Sequence, residues 1–406
     1  MTKNYKNSTS LMELHGVPIT MSDMVDACLL GRLNLFLQGD TGSGKTQLAR
    51  DTMSYFGDKS MFVLGRNDMD TRELFQQLNP DFFKALKDGT FTRGTTPKEL
   101  TDKIDTQLIV VDELPNCVPA VRAQLFNLFD GFIELNGKAY PIGKGYSVGI
   151  ATGNIGQRFT ESSNDLGRAM KDRMHVTVDV DYFAPQPLDT LEILAGNTNP
   201  RVEFTEADGD KAAKIIQASQ EIASQPIPFE KLLVANYLLH GLDYCTVGNS
   251  PASKRKLKDN WPNAIDNHGQ GSDEALVLPL STRAAKSVVR LSQSLDVIAQ
   301  EKGGNLNSER GPFESMMQAY KFVGAYSGIL NEAVVDSTYN GDKYAALDAV
   351  IITTSTQFNT MRDYIAAGQN LASQGKTNEE IMNNFTGRWA FMKDILGGLA
   401  RHEKQD

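Results

Sequence analysis

In the first 180 positions of the chain, apolar residues gather in short runs at 33–37, 61–64, 108–111, 146–151 and 174–180. Runs this short, bounded by Gly or polar residues, read as strands buried on both faces, the mark of a parallel sheet flanked by helices. Before and between them, 22–30, 45–56 and 119–129 carry apolar residues at helical spacing, with Val121, Leu125, Leu128 and Phe129 on one face of the last. Residues 71–105 read as two helices around a break at 88–94. At 132–142 the period drops to two on either side of Asn136-Gly137, which predicts a hairpin.

Beyond Asp181 the strand signal stops. Residues 187–197, 205–224 and 229–245 read as helices, with a capping sequence at Thr205 to Asp208. Residues 246–278 read as a polar loop whose length suggests either function or disorder. Helical period resumes at Ser281, broken at Gly303-Gly304, Tyr339-Asn340-Gly341 and Gly375.

Composition narrows the class. The chain has 406 residues, 40% apolar and 22% charged, with a net charge of −9. That describes a globular protein of two or three units, with no overall basic field to attract nucleic acid or an anionic membrane. The one dense basic run, Lys254-Arg255-Lys256-Leu257-Lys258, reads as a solvated loop. The polar first ten residues and the lack of any long apolar run predict a cytoplasmic protein without membrane insertion. Cys28, Cys117 and Cys245 form no C-x-x-C pair, and the five histidines are scattered, so no metal beyond nucleotide-bound Mg²⁺ is expected. His175 reads as a strand-face residue.

The chemistry lies in two places. Gly39, Asp40, Thr41, Gly42, Ser43, Gly44, Lys45 and Thr46 spell a complete G-x-x-x-x-G-K-T phosphate loop between a buried strand and a helix. Glycines let successive N–H groups curl around phosphates at the positive end of the helix. Lys45 would reach the terminal phosphates of ATP, and the Thr46 hydroxyl would ligate Mg²⁺. The run 108–111 then ends in Asp112-Glu113, at the strand edge where such sheets bind ligands. Asp112 would join the Mg²⁺ shell and Glu113 would polarise the attacking water. Asn154 ends the next strand, and Arg168 and Arg173 precede the fifth.

Together these residues resemble the AAA+ ATPases, and within them the MoxR and dynein-related branch, over roughly residues 15–300. The phosphate loop, Asp112-Glu113, Ala151-Thr152-Gly153-Asn154 and the stretch from Leu166 to Arg173 occur in family order. The hairpin at 132–142 looks like that branch's pre-sensor insertion, and the interruption at 89–94 like its helix-2 insertion. The resemblance implies that Asn154 is sensor 1, that Arg283 in Ser281-Thr282-Arg283-Ala284 is sensor 2, and that Arg173 or Arg168 reaches a neighbour's ATP. One departure stands out: the branch's D-E-I-N-R is here Asp112-Glu113-Leu114-Pro115-Asn116, with the Asn one place later and no Arg.

The implied fold class is an α/β, three-layer α/β/α phosphate-loop domain with a parallel sheet, followed by an all-helical lid and further helices. The expected boundaries are a disordered 1–14, a core at 15–184, a lid at 185–302 and an extension at 303–406. Three functions fit: a homo-oligomeric ring, hexameric in the family's manner, remodelling a protein client with a von Willebrand-type partner; a nucleic-acid translocase, which the acidic charge disfavours; and a nucleotide-gated assembly scaffold.

Overall fold

The computed structural model of the protein describes residues 4–66, 75–90, 97–135, 137–154, 166–196, 201–206, 211–257, 260, 261, 263, 265, 273–308 and 310–403, with the side chain of 168 excepted. They form two compact units, Met1–Gln225 with Val297–Gly304, and Pro226–Asp296 with Asn305–Asp406.

The first unit opens with an antiparallel pair, β1 (Ser10–Leu14) and β2 (Val17–Thr20). Their turn, His15-Gly16, has φ of 53° and 81°, the two left-handed residues that match strand twist in a tight hairpin. The segment expected to be disordered is therefore ordered over its described part. The Asn4 and Tyr5 backbone N–H groups donate to Asp51 Oδ2 at 2.8 and 2.9 Å, which ties this segment to the helix Lys45–Met53.

The core sheet is built from β3 (Leu35–Gln38), β4 (Ser60–Leu64), β7 (Leu108–Asp112), β10 (Val148–Gly153) and β11 (Val176–Asp179). All are parallel, in the order β11-β3-β10-β7-β4. The three central strands are buried at every residue, as apolar runs without alternation require. The excursion between β4 and β7 is not two helices: β5 (Gln76–Leu78) and β6 (Lys98–Leu100) pair antiparallel around the helix Pro80–Lys87. Its other expected residues, 71–74 and 91–96, lie outside the described ones. The hairpin is present as β8 (Phe132–Leu135) and β9 (Lys138–Pro141), with Ile133 and Leu135 buried; Asn136 lies outside the described residues.

After β11 come the helices Pro187–Ala195 and Lys211–Ser224, both in the first unit although they were expected to open the lid. Lys211–Ser224 packs on the helix Met21–Gly31. The Thr205 hydroxyl donates to Asp51 Oδ1 at 2.9 Å, and residues 207–208 of the expected capping sequence lie outside the described ones.

The second unit is mostly helical, around Tyr237, Phe358 and Trp389, whose rings pack with centroids 4.9 to 5.2 Å apart. The helix Phe229–Asn236 passes into a π-turn, Tyr237–Gly241, and ends there, short of the expected 245. What read as a loop at 246–278 contains structure: β12 (Tyr244–Val247) pairs with β13 (Ser250–Ser253) across Gly248-Asn249, with φ of 56° and 61°. The helices Lys254–Leu257 and Asp273–Leu276 follow. The basic run is not wholly solvated either. Lys254 is buried, its Nζ donating to the carbonyls of Asp273 at 3.3 Å and Val277 at 2.8 Å. Burial pulls its ammonium down to about 8, against the opposing attraction of Asp273. The helices Thr282–Glu301, Gly311–Gly324, Glu332–Tyr339, Lys343–Ala372 and Phe391–His402 complete the chain, the last residues of the first of these, from Val297, belonging to the first unit.

Candidate nucleotide site

The buried β3 delivers its C-terminal end to the loop 39–46, and Gly44, with φ of 83°, turns the chain into the helix Lys45–Met53. Gly42 has φ of 86°. Left-handed residues at both positions favour glycine and turn backbone N–H groups inward, the concavity that holds an anion at a helix N-terminus. Lys45 is buried, its Nζ donating to Gly39 O at 2.9 Å, Asp40 O at 2.6 Å and Ser43 Oγ at 3.1 Å. Burial pulls its ammonium below the ordinary lysine value, while Asp181, Asp112, Asp40 and Asp179 act the other way.

The acids stand beside this loop. The Thr46 hydroxyl donates to Asp112 Oδ1 at 3.0 Å, which joins the first turn of the helix to the tip of β7. Hydroxyl and carboxylate oxygens side by side are the hard donors Mg²⁺ takes, so these two residues fit that ion. Glu113 follows in a left-handed conformation, φ 56° and ψ 42°, exposed at the mouth. Asn116 donates from Nδ2 to Glu113 Oε2 at 2.8 Å. Asn154, at the end of β10, donates to Thr41 Oγ1 at 3.4 Å and so meets the phosphate loop. The structure thus brings the loop, Asp112, Glu113 and Asn154 together.

Arg173 has other partners. Arg173 pairs through Nε with Asp130 Oδ2 at 3.0 Å, donates to Ala169 O at 3.1 Å and lies over the Phe126 ring at 4.5 Å. The Arg168 side chain and residues 155–165 are outside the described ones. Arg283 belongs to the second unit, exposed in the first turn of the helix Thr282–Glu301.

Several contributors escaped the sequence. The Thr152 hydroxyl donates to Asp112 Oδ1 and accepts the Glu113 N–H at 3.2 Å, so one side chain holds both acids. Asp181 accepts from Asp40 N at 2.6 Å and lies 2.9 Å from where a Cβ on Gly39 would be. At Gly65 a Cβ would meet Glu113 O at 2.6 Å and Asp112 O at 2.9 Å. Tyr5 lies 3.1 Å from the place of a Cβ on Gly44. Only Thr152 had a local signal, its place in Ala151-Thr152-Gly153-Asn154; the others depend on chain segments distant in sequence.

A glycine-turned loop on a buried strand, with an acid pair on a nearby parallel strand and its own threonine bonded to one of those acids, defines a phosphate-loop nucleotide-binding domain. More narrowly, residues 34–174 match the model of the AAA domain, dynein-related subfamily, and this part of the chain is an AAA+ domain of that branch. A search of curated proteins returns no match. Among solved structures, a Cytophaga hutchinsonii protein provisionally described as an ATPase matches with a TM-score of 0.53 at 15% identity, over 81% of this chain and 88% of that one. This likeness is one of fold. A full-length MCM homolog from Methanopyrus kandleri matches with a TM-score of 0.44 at 14% identity, over 75% of this chain and 55% of that one, too distant to carry an argument. Among the described residues no helix is long and apolar enough to cross a membrane.

Proposed function

We propose that the protein hydrolyses ATP at this site and does so as a homo-oligomeric ring, a hexamer in the manner of the resembled family, to remodel a protein partner. The observation that carries the hydrolytic reading is the Thr46–Asp112 contact at 3.0 Å with Glu113 exposed beside it, since it joins phosphate-binding and water-activating parts in one cleft. In this reading the N–H groups of 39–46 and the Lys45 ammonium hold the phosphates. Thr46 and Asp112 hold Mg²⁺, which when bound neutralises charge developing on the phosphate oxygens. Glu113 accepts a proton from the water that attacks the terminal phosphorus, and phosphate and ADP leave. Asn154 orients that water. Arg283, and a neighbour's Arg173 or Arg168, neutralise the phosphates from outside the cleft, a task suited to a side chain that stays charged and can fork onto two oxygens.

The nucleic-acid reading keeps only part of its one support, because Lys254 of the basic run is buried and bonded to backbone carbonyls while Arg255 and Lys256 are exposed. Glu113→Gln tests the proposal. Phosphate release should fall about 10²-fold or more, the scale of one general base, while ATP still binds; turnover at the parent rate would remove Glu113 from the mechanism.

A further inference from the structure

The helix Pro187–Ala195 buries none of its residues in this chain. Leu188, Leu191, Ile193 and Leu194 are 67, 62, 48 and 77% exposed. A nine-residue helix is marginal in water on its own, since isolated helices shorter than about 12–15 residues barely form. Polar contacts at its N-terminal end hold it in place. Asp189 Oδ2 accepts from Gln186 N at 2.9 Å and from Ser8 N at 2.8 Å, Thr9 Oγ1 donates to Ala184 O at 2.6 Å, and Gln186 Nε2 donates to Thr9 Oγ1 at 3.1 Å. The N-terminal segment therefore fixes one end of the helix and leaves its apolar side chains uncovered. They amount to roughly 400 Å² of apolar surface, about the largest patch an ordinary monomer leaves exposed and about half of one partner's share of a standard interface.

A second uncovered surface lies in the same unit. The helix Pro80–Lys87 also buries none of its residues, and Leu78, Phe83 and Leu86 are 63, 44 and 57% exposed. Pro187–Ala195 follows β11, while Pro80–Lys87 lies in the excursion after β4, and these strands are the two opposite edges of the sheet. Their charges complement each other: the first helix carries Asp189 and Glu192 and no base, the second Lys84 and Lys87 with Asp81. Two unlike sticky surfaces on one chain are what head-to-tail association between copies requires, whereas a two-fold dimer would use one self-complementary patch.

We infer that the Leu188–Leu191–Leu194 face docks on a second copy of this chain, against that copy's Leu78–Phe83–Leu86 surface. This deepens the ring reading above and rests on it. The test is sedimentation velocity of the full chain with ATP and Mg²⁺, for the parent, for the variant Leu188→Glu, Leu191→Glu, Leu194→Glu, and for the variant Leu78→Glu, Phe83→Glu, Leu86→Glu. Each variant should associate at least 100-fold more weakly than the parent while binding ATP as the parent does, since exposed positions are changed. Mixed in equal amounts they should form dimers and nothing larger, because such a pair keeps one intact helix and one intact receiving surface between its two members. If the parent assembles and the first variant assembles equally well, the docking face is wrong and the ring reading stands. A parent that stays monomeric at all concentrations overturns both, and a mixture that forms no dimer overturns the pairing of these two surfaces.

Discussion

The Asn116 side-chain amide donates to Glu113 Oε2 at 2.8 Å, across a backbone turn in which Glu113 itself is left-handed. In the sequence this asparagine looked like a displaced element of the family pattern. In the structure, Leu114–Asn116 forms a 3-10 turn, and the extra residue brings the amide back over the acid. Asn116→Ala should leave ATP affinity unchanged and lower kcat roughly 10- to 150-fold, the value of one hydrogen bond to a charged group. Steady-state phosphate release together with equilibrium nucleotide binding would separate the two effects.

Gly65 has no phosphate-loop contact among its near neighbours, yet it bears on the acids. Its N–H donates to Asp112 O at 2.7 Å, and a Cβ there would press on the carbonyls of Asp112 and Glu113. Backbone cannot yield as a flexible side chain does, so Gly65→Ala should cost about 1–3 kcal/mol of stability, as overpacking does. Hydrolysis should fall more than ATP binding. Chemical denaturation of the variant beside its turnover is the check.

Arg388 presents two guanidinium nitrogens to the Asp273 carboxylate, which is buried in the second unit. Removing one member of a buried pair leaves the other charge uncompensated, typically at a cost of about 3–5 kcal/mol. Arg388→Ala should therefore lower the melting temperature of the second unit while the first still binds ATP. Thermal unfolding followed with and without nucleotide would show it.

Lys254 sets a pH dependence. Its folded pKa of about 8 lies below the ordinary 10.5, so the unfolded chain holds more protons between these values. Stability from this group is fully present above 10.5 and is lost as pH falls through 8, because the buried ammonium is the costly form. The parent should thus gain stability relative to Lys254→Met as pH rises from 8 to 10. Denaturant midpoints measured across that range for both proteins give the difference directly.

The central strands and the phosphate loop were legible because local pattern and tertiary environment agree there: a run such as Leu108 to Val111 is apolar throughout and is buried throughout. Three hairpins tell the complementary lesson. The one at Asn136-Gly137 was read from its turn residues. Those at His15-Gly16 and Gly248-Asn249 were missed, although each turns on a two-residue pair with positive φ. Their flanking strands, four or five residues long, are no shorter than the four-residue strands of the hairpin that was read, so the Asn-Gly turn pair and not the strand pattern made the difference. Lys254 was misread for another reason: a charge run reads as solvated unless a distant carbonyl accepts from it, and here those of Asp273 and Val277 do. The hold of Asp181 on the loop depends likewise on β11 lying beside β3, which no local window reveals.

Thr152 and Asn154 stand two residues apart at the end of β10, one bonded to the acids and the other to Thr41 of the phosphate loop. Alternate residues of a strand share a face, and β10 lies between β3 and β7. This single strand therefore acts as a splint across both halves of the cleft. Its detachment would unfasten the loop and the acids at once, so hydrogen exchange at 39–46 and at 112–113 should rise together under mild denaturant, as one cooperative opening.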